Sequence, residues 1–182
     1  MKATALLEKQ HRKVEGLFES LEGAAAGGEK LVHELATDLA AHAAIEEELF
    51  YPAAARFEKN RILESKEEHE LMAFALRRLV AADPGSDSFQ ARLKACKDTV
   101  LHHVREEEQE LFPRVAEALG EEDETLGKQM EARFKELSRE GFEAIAAARK
   151  ARRTAASDGQ RTRKATATTS KKKAGQTAHK AA

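Results

Sequence analysis

In its 182 residues the chain has one cysteine, three prolines, one tyrosine and no tryptophan. A single cysteine excludes a disulfide framework and fits a reducing compartment. No stretch approaches the roughly 20 apolar residues that a membrane-spanning helix needs, so no membrane partner is expected. Met1 to His11 carry charge but no apolar signal-peptide core, and the expected location is cytoplasmic. What is plentiful is charge: 35% of residues are Asp, Glu, Lys or Arg, which with so little proline reads as a helical protein. The length suits one ordinary domain with an appendage and is enough to bury a real core.

The formal net charge of −1 conceals a division. Residues 149–182 hold 11 Lys/Arg against one acid, leaving 20 basic and 31 acidic residues in 1–148. That tail has no aromatic residue and no Leu, Ile, Val or Met, so it cannot bury enough apolar area to offset ordering entropy, and 151–182 is expected to be disordered. A flexible basic segment suits non-specific, salt-sensitive contact with nucleic acid through residues 149–182. Without aromatics it has no base-stacking surface. The alternatives are a solubilising tail or one that folds back on the acidic part.

In the acidic part, apolar residues recur at spacings of three and four, the mark of helices. Helices are predicted over about 2–22, 29–57, 61–82, 87–119 and 122–150. Gly23, Gly27 and Gly28 mark the first turn, and Asp83-Pro84-Gly85-Ser86-Asp87 the third, with Asp87 as the N-cap of the fourth helix. Four long helices with short connections imply an all-α, up-down-up-down four-helix bundle over residues 1–119. A further helix within 120–150 has an apolar edge at Leu126, Met130, Phe134 and Leu137. That edge is expected to pack on the bundle, a dimer contact being the alternative.

An internal repeat joins the second and fourth helices. His42-Ala-Ala-Ile-Glu46-Glu47 runs on to Tyr51-Pro52, and His103-Val-Arg-Glu-Glu107-Glu108 to Phe112-Pro113. In both, His to Glu is four residues and His to Pro is ten. The first and third helices match more weakly around His11 and His69, giving a half-repeat of about 60 residues. Residues i and i+4 share a helix face, so each His-x-x-x-Glu aims an imidazole and a carboxylate the same way.

The apolar stripes set that direction as inward. The second helix reads Leu31, Leu35, Leu39, His42 and Leu49 with Glu46 in phase, and the fourth reads Leu93, Cys96, Val100, His103, Leu111 and Val115 with Glu107 in phase. His11 and His69 lie on the stripes of their own helices, and all four histidines fall near helix midpoints, which meet in one layer of an antiparallel bundle. Carboxylates are almost never buried unpartnered. Four imidazoles and two carboxylates in one layer therefore point to bound metal. His102-x-x-x-Glu106 is a competing pair, but it lies on the polar face and breaks the spacing to Pro113. His33, His179 and Cys96 read as non-ligands, and Glu15 as either an extra ligand or a solvated side chain. A ferritin-like site would need two Glu-x-x-His pairs, and only Glu8-x-x-His11 occurs.

The order His11, His42-x-x-x-Glu46, His69, His103-x-x-x-Glu107 resembles the hemerythrin-like family, also called the HHE cation-binding domain. The resemblance implies a non-haem centre of two iron ions. It also implies Glu46 and Glu107 bridging both, with His11 and His42 on one ion and His69 and His103 on the other. Oxygen-carrying members have a further His one turn after the third-helix His, where Ala73 stands here. The expected function is therefore binding of iron, or of oxygen or nitric oxide at that iron, in sensing or stress protection. Turnover of peroxide or nitric oxide is the enzymatic alternative, and tethering to nucleic acid through the tail is the third.

Overall fold

The computed structural model describes residues 1–23 and 28–155, and the described residues contain helices and no strand. The expectation of a disordered tail falls on 151–182, of which 156–182 lie outside the described residues.

Helix α1 spans Ala3–Gly23. Helix α2 begins as Glu29–Ile45, passes through a π-helical turn at Glu46–Phe50 and ends as Tyr51–Ala54. Helix α3 is Lys59–Val80. Helix α4 repeats the pattern of α2: Asp87–Glu106, a π turn at Glu107–Leu111, then Phe112–Leu119. Helix α5 is Glu122–Glu140. It ends at Gly141, whose φ of 81° is a backbone state that side chains disfavour, so the predicted helix over 122–150 is interrupted there. Beyond Ile145, residues 146–155 are helical and form a unit of their own.

The N-cap of α4 is Ser86, in extended backbone, and not Asp87 as predicted. Asp83 organises the turn, accepting the Gly85 N–H on its carboxylate and Ser86 hydroxyl and N–H bonds on its carbonyl. Asp87 thereby moves into the first helical turn, where its charge favours the positive helix end.

Neighbouring helices run antiparallel, as the pairing of their side chains shows. Lys13 meets Asp38 and Gln10 meets His42 across α1–α2. Arg12 meets Glu108 and Glu22 meets Lys97 across α1–α4. Arg61 meets Glu106 and Glu110, and His69 meets His103, across α3–α4. With α2 also against α3, the four helices close into an up-down-up-down bundle.

Helix α5 lies against α1 and α2, burying Leu126, Met130 and Leu137, with Phe134 partly buried. Its Asp123 is fully buried and accepts the Ala3 backbone N–H at 2.9 Å, satisfying a donor that the start of α1 leaves without a helical partner.

The two π turns arise from proline. In a regular α-helix the rings of Pro52 and Pro113 would press on the carbonyls four residues back. Widening the turn avoids this: the Tyr51 and Phe112 N–H groups bond five residues back, to the carbonyls of Glu46 and Glu107. One extra residue per turn rotates the downstream side chains by about 100°. Leu49, predicted to face the core, is therefore only half-buried, while Phe50 and Tyr51 are fully buried. Phe50 and Phe112, one from each half-repeat, meet edge to face at 5.6 Å between centroids. Each contributes roughly 1.5–3 kcal/mol by burial.

Candidate metal centre

The six predicted residues converge. His11, His42, Glu46, His69, His103 and Glu107 are all at most 2% exposed and occupy one layer between α1, α2, α3 and α4. His11 Nε2 lies 3.2 Å from His42 Nε2, and His69 Nε2 lies 3.2 Å from His103 Nε2. Each carboxylate reaches one imidazole of each pair. Glu46 Oε2 is 3.3 Å from His42 Nε2 and 3.2 Å from His69 Nε2. Glu107 Oε2 is 3.5 Å from His11 Nε2 and 3.4 Å from His103 Nε2.

Every imidazole is held from behind through Nδ1. His11 meets Glu108 at 2.8 Å, His42 meets Gln10 at 2.7 Å, His69 meets Glu47 at 3.1 Å and His103 meets Glu68 at 2.7 Å. These backing residues obey the half-repeat. The glutamate after each core glutamate (Glu47, Glu108) backs the histidine of α3 or α1. The residue before each of those histidines (Gln10, Glu68) backs the histidine of α2 or α4. All four partners present oxygens, so Nδ1 carries the proton and donates, and in the neutral ring Nε2 presents a lone pair inward.

Those lone pairs face each other and the carboxylates. Both Glu46 oxygens and Glu107 Oε2 are buried without a hydrogen-bond partner. Buried polar atoms are normally satisfied, and converging lone pairs repel. A cation among them would satisfy all of these groups, so the donors present fit bound metal.

The electrostatics agree. Burial and the adjacent Glu107 raise the Glu46 carboxyl well above its ordinary range. Glu107 is held low: burial opposes its ionisation, but His103 and His11 outweigh that. Burial, together with His11, holds His42 well below the usual imidazole range, and burial lowers His69 against the pull of Glu47. His103 is raised in spite of its burial, because Glu107 and Glu68 both face it.

Tyr51 is not among the residues that the sequence predicts for the site. Its hydroxyl donates to Glu107 Oε1 at 3.0 Å and lies 3.1 Å from His69 Nε2. Burial and the two core carboxylates keep that phenol protonated. Residue 73 offers no imidazole, and the oxygen beside His69 comes instead from the end of α2. The available signal is an asymmetry of the repeat: Tyr51 stands where the other half has Phe112, and a buried hydroxyl needs a partner.

The other histidines and the cysteine lie elsewhere. His102 is 59% exposed and pairs with Glu106 at 3.3 Å, so the α4 register presents His103 to the core. Glu68, His102 and Glu106 form a surface cluster in which Arg61 also binds Glu106. Glu15 is tied to Arg12 at 2.8 Å, outside the layer. His33 is exposed. Cys96 is buried, which pushes its thiol up to about 12, beyond nucleophilic use at neutral pH.

A four-helix bundle with an inward layer of paired imidazoles and carboxylates belongs to the cation-binding class of helical bundles. More particularly, the chain belongs to the hemerythrin HHE cation-binding domain family, whose model matches residues 2–115. A crystal structure of a hemerythrin HHE cation-binding domain-containing protein from Mycobacterium kansasii superposes with a TM-score of 0.68. The two are 26% identical, with 76% of this chain and 88% of that one covered. A DNA nickase from Nostoc sp. strain PCC 7120 is 30% identical over 120 residues, which is 64% of this chain. The chain spans about a third (34%) of the length of that curated relative. Among the described residues no helix is long and apolar enough to cross a membrane.

Proposed function

We propose that the chain is a non-haem di-iron protein. His11 and His42 would hold one ion, His69 and His103 the other, and Glu46 and Glu107 would span both. Tyr51, whose hydroxyl lies 3.1 Å from His69 Nε2, would add an oxygen on the side of the second ion. The observation that carries this reading is the set of inward Nε2 lone pairs and unpartnered carboxylate oxygens, each imidazole being locked from behind. Imidazole and carboxylate accept iron, manganese or zinc, and the choice of iron rests on the family.

The proposed role is binding of iron, or of oxygen or nitric oxide at that iron, in sensing or stress protection. A bound iron pair supplies an open-shell, redox-active centre able to bind a diatomic gas. The protein holds the donors rigid, stacks Phe112 on the His11 ring at 5.7 Å between centroids, and places the Tyr51 hydroxyl as a proton donor at Glu107 Oε1. The two halves differ: Gln10 backs His42 with a neutral amide, whereas Glu68 backs His103 with a carboxylate. A carboxylate raises imidazole basicity more, so the His69/His103 half is the stronger donor set.

The test is metal content and an absorption spectrum of the purified full chain in air, followed by exposure to nitric oxide. Two irons per chain and a stable spectral change with the gas are expected. Stoichiometric zinc with no iron uptake would overturn the assignment. Steady consumption of peroxide or nitric oxide would favour an enzyme over a carrier or sensor.

A second reading, nucleic-acid association through residues 149–182, is favoured by the basic composition of that segment and by likeness to a relative described as a DNA nickase. Gel shifts at low and moderate salt, full length against a chain ending at Ala148, test it. Loss of binding in the shorter chain and steep weakening with salt are expected. Equal binding by both chains would reject it.

A further inference from the structure

Helix α3 carries two apolar stripes. The inner one, Ile62, His69, Met72, Leu76 and Leu79, faces the bundle. The outer one holds Leu63, Leu71 and Phe74, which are 55%, 62% and 56% exposed. One exposed leucine requires no explanation. Leu71 and Phe74, however, share with Glu67 and Arg78 a sector of roughly 60° of the helix circumference, at about 100° per residue. Ala91, Ala95 and Thr99 of α4 join Leu71, Phe74 and Arg78 to wall a shallow groove beside it.

We propose that this face binds a second copy of the chain, the two α3 helices packing antiparallel and crossing between Leu71 and Phe74. A two-fold interface must be complementary to itself. Positions 67, 71, 74 and 78 are spaced four, three and four, so the pattern reads the same in either direction. Reversing the helix about its midpoint between 72 and 73 sets Leu71 on Phe74 of the second copy. It also sets Glu67 on Arg78 of the second copy, and each match occurs twice. A parallel arrangement would set Glu67 on Glu67 and Arg78 on Arg78, which repel.

The monomer leaves this pair of charges unmatched. Glu64, one turn before 67 on α3, is held by Arg61. Among the described residues Glu67 and Arg78 meet no oppositely charged side chain of their own chain. Arg78 lies over the Phe74 ring at 5.8 Å, which keeps its guanidinium at the rim of the apolar face. The interface is thus an aromatic–aliphatic centre closed at both ends by an ion pair. The proposal is independent of which metal the bundle holds.

Sedimentation velocity of the full chain, from micromolar to sub-millimolar concentration, tests it. Wild type is expected to show a concentration-dependent dimer. The Leu71→Ser/Phe74→Ser variant is expected to be monomeric throughout, with unchanged helicity and metal content. Glu67→Arg or Arg78→Glu alone should weaken the dimer about tenfold, since each introduces two like-charge contacts. The combined Glu67→Arg/Arg78→Glu variant should recover most of that loss. Wild type that stays monomeric at every concentration overturns the proposal and leaves the face to another occupant. So does a dimer that survives Leu71→Ser/Phe74→Ser, or single-charge variants whose weakening the combined exchange does not repair.

Discussion

Replacing Glu46 by Gln should change protein stability in opposite directions with and without metal. In the metal-free chain Glu46 is fully buried, neither oxygen has a hydrogen-bond partner, and Glu107 lies beside it. An unsatisfied buried polar group costs about 1–3 kcal/mol, and more when charged. A glutamine keeps the shape, removes the titrating group and offers an amide donor to the unpartnered Glu107 Oε2. The metal-free variant should therefore be more stable than wild type by about 1–3 kcal/mol. For a domain of this size that is a rise of roughly 3–10 °C in Tm.

The sign of the pH dependence comes from linkage. The folded pKa of Glu46 is raised above the ordinary 4.5, so the folded state binds the proton more tightly than the unfolded chain. Whatever stability the protonated carboxyl contributes is complete below that ordinary value and is lost as pH rises through the folded pKa. Glutamine does not titrate, so the variant's advantage should widen as pH rises above 4.5. With metal the order reverses. Wild type gains RT ln(1 + [L]/Kd), about 4 kcal/mol at a thousandfold excess over Kd, and the variant, lacking a charged donor, gains much less. Thermal melts followed by circular dichroism, in chelator and in anaerobic ferrous iron across a pH series, read all of this. A metal-free variant less stable than wild type would show Glu46 to be structurally satisfied. Equal stabilisation of both proteins by metal would show that Glu46 does not touch the ion. Either result refutes the reasoning.

Three further outcomes rest on the same geometry. His103→Ala should abolish stoichiometric metal binding while His102→Ala retains it, because His103 is buried in the layer and His102 is 59% exposed; metal analysis after desalting reads both, and the reverse result would move the site to the surface cluster. Tyr51→Phe removes the donor to Glu107 Oε1 and should cost the metal-free protein about 1–3 kcal/mol while altering the visible spectrum of the loaded one; an unchanged spectrum would place the phenol outside the centre. A Cβ at Gly127 would come within 2.2 Å of the Met1 carbonyl oxygen and 2.7 Å of the Ala3 nitrogen, so Gly127→Ala must lift the start of α1 off Asp123. A loss of about 2 kcal/mol or more in denaturant melts and faster amide exchange at Ala3 are expected, and an unperturbed Ala3 amide would refute this reading.

The chemistry is legible because a helix is a ruler. A four-residue step from His to Glu, repeated in two helices at equal distance from proline, aligns side chains whatever their neighbours. His11 and His69 join them because they lie on the apolar stripe at helix midpoints. Where the ruler changes pitch, periodicity misleads. The π turns lie after Glu46 and Glu107, so an unbroken period puts Leu49 on a core face that Phe50 and Tyr51 occupy. Tyr51 escapes the pattern for the same reason. The backing residues are invisible in the sequence because each acts across a helix pair: Glu47 on His69, Glu108 on His11, Glu68 on His103 and Gln10 on His42. In a glutamate-rich sequence nothing local separates these from solvated neighbours. At the start of α4 the difference is a single residue, because Asp83 bonds both Gly85 and Ser86 and moves the cap from Asp87 to Ser86.

By itself the sequence determined that the chain is helical, that its charge divides near residue 149, and which six side chains share one inward face, because helical periodicity is a property of short segments. Only the tertiary structure decided how the four imidazoles pair, which side chains lock them from behind, and that a phenol stands beside His69. Those relations join residues about 20 to 100 positions apart, and helix packing alone sets the distances between them.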